Sequence, residues 1–287
     1  MIEGKIISTI GGVYKISLKD HSLIEVTPRG KLKHLKKKLL IGDNVLVNES
    51  DKTLEDVLEQ ENSLIRPRIA NIDLGIIVTS LVTPDFSSFL LNKFLTLLNA
   101  SNIKPLVILT KVDLGDENKV KDIIETYAKI GVEVIPFSKN TKLNLDVISH
   151  KIENKVVAFM GQTGVGKSSL INTLDPDFNR GIGEYSLALG RGKHQTKEVI
   201  LLPFNNGYIA DTPGFSSLEL PLFKEELAEH YIGFSLVNDK CKYNNCLHIS
   251  EKECPKKEFL LHDEKLKIIY DDYLSMSDEL IFRKDRY

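Results

Sequence analysis

The sequence predicts a multi-domain fold: an N-terminal all-β barrel and a C-terminal metal-stapled helical module on either side of a central α/β domain. Short strand-like runs separated by turn residues fill the first 65 positions. From about residue 70, apolar β-branched runs alternate with helical spacing. All three cysteines lie between Cys241 and Cys254. The expected boundaries are 1–65, 66–220 and 221–287.

The barrel strands are expected at 5–10, 13–18, 22–26, 44–48 and 54–59, punctuated by Gly11-Gly12, Pro28-Arg29-Gly30 and Gly42-Asp43. Five short strands suit an OB-type barrel, and periodicity alone suits an SH3-like barrel nearly as well. The runs 74–80, 89–99, 106–110, 120–130 and 132–137 then alternate strand and helix, which implies βαβ units and a parallel sheet. The pattern resumes with a strand at 156–160, a glycine-rich loop, a helix from about 168 to 174, and strands at 198–204 and 208–210. After Pro221 the strands stop, and Leu260, Leu261, Leu266, Ile269, Tyr270 and Tyr273 recur at helical spacing.

With 287 residues and 42% hydrophobic content the chain can bury a core, and its length alone suggests about two domains. A net charge of −2 gives no global attraction to nucleic acid, so any such contact must be local. The N-terminus lacks a basic start followed by an apolar run, and no later stretch is long and apolar enough to cross a bilayer. The chain is therefore expected to be cytoplasmic, without a membrane partner, and nothing in it demands more than a monomer.

Gly161-Gln162-Thr163-Gly164-Val165-Gly166-Lys167-Ser168 fits G-x-x-x-x-G-K-[ST] between a buried-type strand and a helix. The glycines let backbone N–H groups, with neighbouring Ser169, approach phosphates. Lys167 neutralises phosphate charge, and Ser168 ligates Mg²⁺. Asp211-Thr212-Pro213-Gly214 follows a strand; there Asp211 is expected to hold Mg²⁺ through water and Gly214 to sense a γ-phosphate. Alone, that tetrapeptide is an ordinary turn; beside a phosphate loop it becomes a sensor.

Thr110-Lys111-Val112-Asp113 places a carboxylate at a strand end, where it accepts from guanine N1–H and the 2-amino group. The Lys111 stem lies over the base, and the backbone near Ser138, in Phe137-Ser138-Lys139, faces guanine O6. Thr110 stands where many GTP-binding proteins carry Asn; a hydroxyl replaces only part of the amide's bridging, which implies modest affinity for GTP and GDP. The base motif precedes the phosphate loop, the reverse of the ordinary order, so the domain is a circularly permuted P-loop GTPase.

Cys241, Cys246, His248 and Cys254 form C-x4-C-x-H-x5-C, a Cys₃His set for one tetrahedral Zn²⁺, with no open position and hence a structural role. Arg29, Lys31, Lys33, Lys36, Lys37 and Lys38 form a basic run without acidic interruption, which without further context reads as a solvated face.

Together these motifs resemble the RsgA (YjeQ/YloQ) family of small-subunit-dependent GTPases, over nearly the whole chain. Further matching segments are Pro28-Arg29-Gly30-Lys31, Gly42-Asp43, Arg66-Pro67, Ala70-Asn71-Ile72-Asp73 and Gly190-Arg191-Gly192-Lys193-His194-Gln195-Thr196. The resemblance implies an OB barrel, a permuted GTPase and a zinc domain, with late maturation of the small ribosomal subunit as the task and ribosome-stimulated GTP hydrolysis as the reaction. It implies rRNA contact for the basic run. It implies that Thr196 completes the Mg²⁺ site and, because Phe215 stands where Ras-like proteins place their water-orienting glutamine, that His194 takes that role, Lys167 and Thr196 being the other catalytic residues. Gln195 departs from the threonine common in the family. An RNA-docking platform with incidental turnover, and a GTPase serving the large subunit or another RNA, are the competing readings.

Overall fold

The computed structural model describes residues 1–30, 39–64, 68–176, 178, 199–211 and 220–282. Strands β1 (Ile2–Ile10), β2 (Val13–Leu18), β3 (Leu23–Pro28), β4 (Asn44–Asn48) and β5 (Thr53–Val57) close a barrel in the order β1-β2-β3-β5-β4. β1 pairs antiparallel with both β2 and β4, while β3 and β5 run parallel. This closed five-stranded barrel is OB-like, which decides between the two barrels that periodicity leaves open. Alternate residues Ile6, Ile16, Val26, Val45, Val47 and Leu54 point inward and are buried. β1 starts at Ile2, earlier than the alternation suggests, because Ile2 to Lys5 find partners on β4.

Two further strands, β6 (Ser63–Leu64) and β7 (Ile69–Ala70), pair antiparallel and are too short to leave a periodic signal. They explain two of the family-like segments. Gly42 has φ +90°, and a Cβ there would lie 2.0 Å from the Ala70 carbonyl oxygen, so only glycine fits. Asn71 donates from Nδ2 to Gly42 O at 3.0 Å and accepts from Glu61 N at 3.0 Å. The buried Asp43 carboxylate accepts from Leu40 N at 2.8 Å and from Gln60 Nε2 at 2.5 Å. Asp73 Oδ2 accepts from Val156 N at 2.7 Å. These polar side chains satisfy backbone groups where the barrel ends, a structural task.

The next strands are β8 (Leu74–Ser80), β9 (Pro105–Thr110) and β10 (Val134–Pro136), with helices α1 (Ser88–Ala100) and α2 (Glu117–Ala128) in the crossovers. β9 pairs parallel with both β8 and β10. Their near-continuous burial is that of strands covered on both faces. Ser87 caps α1 by accepting from Leu90 N, and Asp116 caps α2 by accepting from Asn118 N.

Helix α3 (Leu145–Ile152) leads to β11 (Val156–Met160), helix α4 (Lys167–Leu174), β12 (Ile200–Phe204) and β13 (Gly207–Asp211). β11 and β13 are parallel, but β12 runs antiparallel to β13. That departs from the all-parallel expectation. Asn205 and Asn206, at φ +49° and +61°, form a two-residue turn, which allows a hairpin but no crossover.

After α5 (Lys224–His230) the single helical stretch expected near the C-terminus is instead two helices, α6 (Pro255–His262) and α7 (Lys267–Glu279). Asp263 breaks them: its Oδ1 accepts from Lys265 N at 2.9 Å and its carbonyl from Leu266 N at 3.0 Å. The buried stripe Ile269, Tyr270, Tyr273 and Met276 packs α7 inward. α7 also contacts α1 through polar pairs, Asn92 Nδ2 to Asp272 Oδ2 at 2.8 Å and Lys93 Nζ to Glu279 Oε2 at 2.5 Å. Burial pushes the Asp272 carboxyl above its usual range.

The chain folds as two compact units. The described residues of 1–74, 149–159 and 171–214 make one, and those of 75–148, 160–170 and 215–287 make the other. Among the described residues no helix is long and apolar enough to cross a membrane.

Candidate nucleotide site and metal centre

The phosphate-loop segment turns sharply at the end of β11. Gly161, Gly164 and Gly166 all have positive φ, and a Cβ on Gly161 would stand 2.1 Å from the Val78 carbonyl oxygen. A side chain is excluded there, so the loop can lie against β8 only as glycine. Helix α4 begins at Lys167, placing Ser168 and Ser169 in its first turn, and the buried Leu170 anchors it. Lys167 folds back over the loop, donating from Nζ to the Gly161 carbonyl and, at 2.7 Å, to the Gln162 carbonyl. Burial lowers its pKa. A partly desolvated cation in this place has its strongest available partner in a phosphate.

The base-motif residues meet this loop directly. The Thr110 hydroxyl donates to Val165 O at 2.5 Å and has Thr79 O at 3.2 Å. It therefore bridges to the phosphate loop, the contact expected to be only partly replaced when Asn gives way to Thr. Lys111, in the left-handed region at φ +59°, donates from Nζ to Gly164 O at 2.9 Å and to Thr83 O. The side chains of Thr110 and Lys111 thus hold the two motifs together although their order in the chain is reversed.

Asp113 lies in a 3₁₀ turn, Val112–Leu114, and its carboxylate is exposed. Hydrogen bonds from Asn140 and then Ser138 hold its carboxyl below the usual range. Asn140 Nδ2 donates to Asp113 Oδ2 at 2.8 Å. Ser138 is buried, accepts from Thr141 N at 3.2 Å and bridges to Leu143, which fixes the loop after β10. The sequence does not mark Asn140, since nothing there separates it from Lys139 beside it.

Other expected residues stand elsewhere. Asp211 is the last residue of β13. His194, Thr196 and Gly214, like Lys31, Lys33, Lys36, Lys37 and Lys38, lie outside the described residues. Arg29 is described, and its Nη1 is paired with Glu55 Oε2 at 2.5 Å.

The cysteines and histidine separated in sequence come together. Cys241 Sγ and Cys246 Sγ each lie 3.8 Å from Cys254 Sγ, and His248 Nδ1 lies 3.6 Å from Cys241 Sγ and 3.3 Å from Cys254 Sγ. With a metal–sulfur bond of about 2.3 Å, sulfurs at tetrahedron corners stand about 3.8 Å apart, so the four groups fit one metal ion. Burial pushes the Cys246 thiol up to about 12 and the His248 imidazole down to about 4. The imidazole is thus neutral and available to a metal, and burial keeps the Cys241 and Cys246 thiols protonated in the absence of a cation.

The surrounding shell holds this cluster. Glu251 accepts from Leu247 N and Ile249 N, both at 2.8 Å; Tyr270 donates to His248 O at 2.9 Å, and Tyr273 to Leu247 O. Phe234 packs edge-on against the His248 ring at 4.8 Å.

Comparison with known proteins follows the same outline. The family model described as RsgA N-terminal domain matches residues 3–54, and that described as RsgA GTPase matches residues 57–221. The chain is 38% identical over 294 residues, covering 100% of both chains, to the small ribosomal subunit biogenesis GTPase RsgA of Geobacillus sp. (strain WCH70). Among solved structures, YjeQ from Thermotoga maritima matches with a TM-score of 0.83 and 28% identity over 99% of each chain. YloQ, described as a circularly permuted GTPase, matches with a TM-score of 0.80 and 34% identity over 100% of this chain and 97% of that one.

Proposed function

The chain belongs to the RsgA GTPase family, and on that footing we propose that it binds the small ribosomal subunit, assists its late maturation, and hydrolyses GTP to GDP and phosphate under ribosomal stimulation. The observation that carries the guanine-nucleotide part is the pair of side-chain bridges, Thr110 to Val165 and Lys111 to Gly164, joining a base motif to a phosphate loop.

In this reading residues 1–65 form an RNA-binding barrel, 66–220 the permuted GTPase domain and 221–287 a zinc-binding module. Gly161 to Ser169 and Gly214 surround the phosphates; Thr110, Lys111, Asp113 and Ser138 read the base. Mg²⁺ arrives with GTP and is held by Ser168, Thr196 and Asp211. One Zn²⁺ on Cys241, Cys246, His248 and Cys254 has a structural role, since four protein ligands leave no position for water. His194 orients the attacking water. The basic run from Arg29 to Lys38 follows rRNA phosphates. The protein acts in the cytoplasm as a monomer.

The test is GTP turnover at one protein concentration, alone and with purified small or large ribosomal subunits, with ATP as the control nucleotide. Stimulation of at least about tenfold by small subunits alone is expected for an enzyme whose catalytic loop is ordered by its partner. Equal turnover in all conditions would remove the ribosomal role and leave a GTPase of another purpose.

A further inference from the structure

We propose that Asn140 is a positioning residue for guanine recognition, holding the Asp113 carboxylate in the plane that receives the base. The inference deepens the base-reading role proposed for Asp113 and rests on it.

The Asp113 carboxylate is exposed and stands on a single 3₁₀ turn. Left to itself such a group rotates about its terminal torsion, a broad two-fold profile with little preference. Reading guanine requires the opposite, because N1–H and the 2-amino group donate in one plane to two oxygens at once. Two partners restrict that rotation, Ser138 and Asn140.

Asn140 supplies the more exposed of these contacts, 2.8 Å from its Nδ2 to Oδ2. Its backbone is itself fixed. It lies inside the segment closed by the bridge between Ser138 and Leu143, next to Thr141, whose N–H is bound by the Ser138 hydroxyl. Asn144, just beyond, donates to Pro136 O at 2.8 Å and ties the same loop to the end of β10.

Stoichiometry allows Asn140 to remain in place when the base arrives. An ionised carboxylate offers about four lone-pair sites, and guanine uses one on each oxygen. The second site on Oδ2 stays free for the Asn140 amide. An amide that donates into the carboxylate also favours its charged form, the form guanine needs.

The experiment compares GDP, IDP and ADP binding to the full-length protein and to Asn140→Ala, with Asp113→Asn as the control. IDP lacks the 2-amino group, so the GDP-to-IDP affinity ratio isolates one arm of the bidentate contact. Asn140→Ala is expected to weaken GDP by roughly threefold to tenfold, to shrink that ratio, and to leave ADP unchanged. The acid limb of GDP binding should also move. Binding is lost as pH falls through the Asp113 pKa, which is lowered in the parent, so removing a donor shifts the loss to higher pH.

A purely structural role for Asn140 would lower affinity for all three nucleotides together and leave the pH limb in place, which would overturn the inference. Tighter GDP binding by Asn140→Ala would overturn it too, since Asn140 would then be a competitor of the base. If Asp113→Asn shifts preference from GDP towards the xanthine diphosphate while Asn140→Ala behaves as the parent, the Asn140 role alone is wrong. If Asp113→Asn leaves base preference unchanged, the base-reading assignment falls, and the Asn140 role with it.

Discussion

Lys167→Ala is expected to lower single-turnover GTP hydrolysis by about two to three orders of magnitude, the cost of removing one preorganised charge from a developing anionic transition state. The parent side chain is held where it would be needed, donating to the Gly161 and Gln162 carbonyls at the start of the loop. Burial disfavours its charge, so phosphate recovers for the ammonium what the protein's surroundings withhold. Alanine leaves those carbonyls without their donor and the phosphates without a counter-charge. The measurement is product formation with enzyme in excess over GTP, alongside GDP affinity by fluorescence titration. Turnover within about threefold of the parent would mean that another cation neutralises the phosphates, and the phosphate-loop assignment would have to be abandoned.

The second large effect concerns the metal centre. Cys246→Ser is expected to abolish stoichiometric zinc and to unfold the segment that carries the cluster. Structural zinc in small modules contributes on the order of 10 kcal/mol of binding free energy that is also folding free energy. Beside this cluster the rings of Tyr231, Phe234 and Tyr273 pack edge-on or tilted with centroids 4.9 to 5.2 Å apart, and the backbone of the cluster loop hangs from them through Tyr273. Without a metal, the cluster is two buried thiols, a half-buried one at Cys241 and a buried imidazole, with one another as partners. Elemental analysis and hydrogen exchange of α7 amides report the two parts separately. A variant that retains one zinc per chain and protects α7 as the parent does would show that Cys246 is not a ligand.

Much of the fold and of the candidate nucleotide site is legible in the sequence because it depends on local rules. Period-two alternation locates the barrel strands, since each needs one apolar face. The phosphate loop declares itself by glycines that geometry enforces, Gly161 most plainly. The Cys/His cluster is readable because its four members are close in the chain.

What escapes the sequence has a common cause as well. β6 and β7 hold two residues each, too few for a period. The reversal of β12 is written only in the Asn205-Asn206 turn, whose two positive φ values outrank the alternation around it. The break between α6 and α7 depends on one side chain, Asp263, closing a turn on its own backbone. Asn140 cannot be distinguished because its role arises from where β10 ends in space relative to β9. The partner of the Thr110 hydroxyl is a backbone carbonyl 55 positions away, a contact that no spacing within a motif encodes.

The packing of α7 on α1 has a consequence for anyone who wishes to work with a minimal fragment. A boundary at residue 220 looks natural in the sequence, yet it removes Asp272 from the Asn92 amide and Glu279 from the Lys93 ammonium. It also removes the His230 carbonyl, which accepts from Asn99 Nδ2 at 2.8 Å on the same helix. Because α1 runs from β8 into β9, the strand that ends in Thr110, such a truncation would leave the polar, partly charged face of α1 without its partners. Helix α7 supports α1, and through it the strands that carry the candidate nucleotide site, so a fragment cut at that boundary is expected to lose stability and, with it, nucleotide affinity.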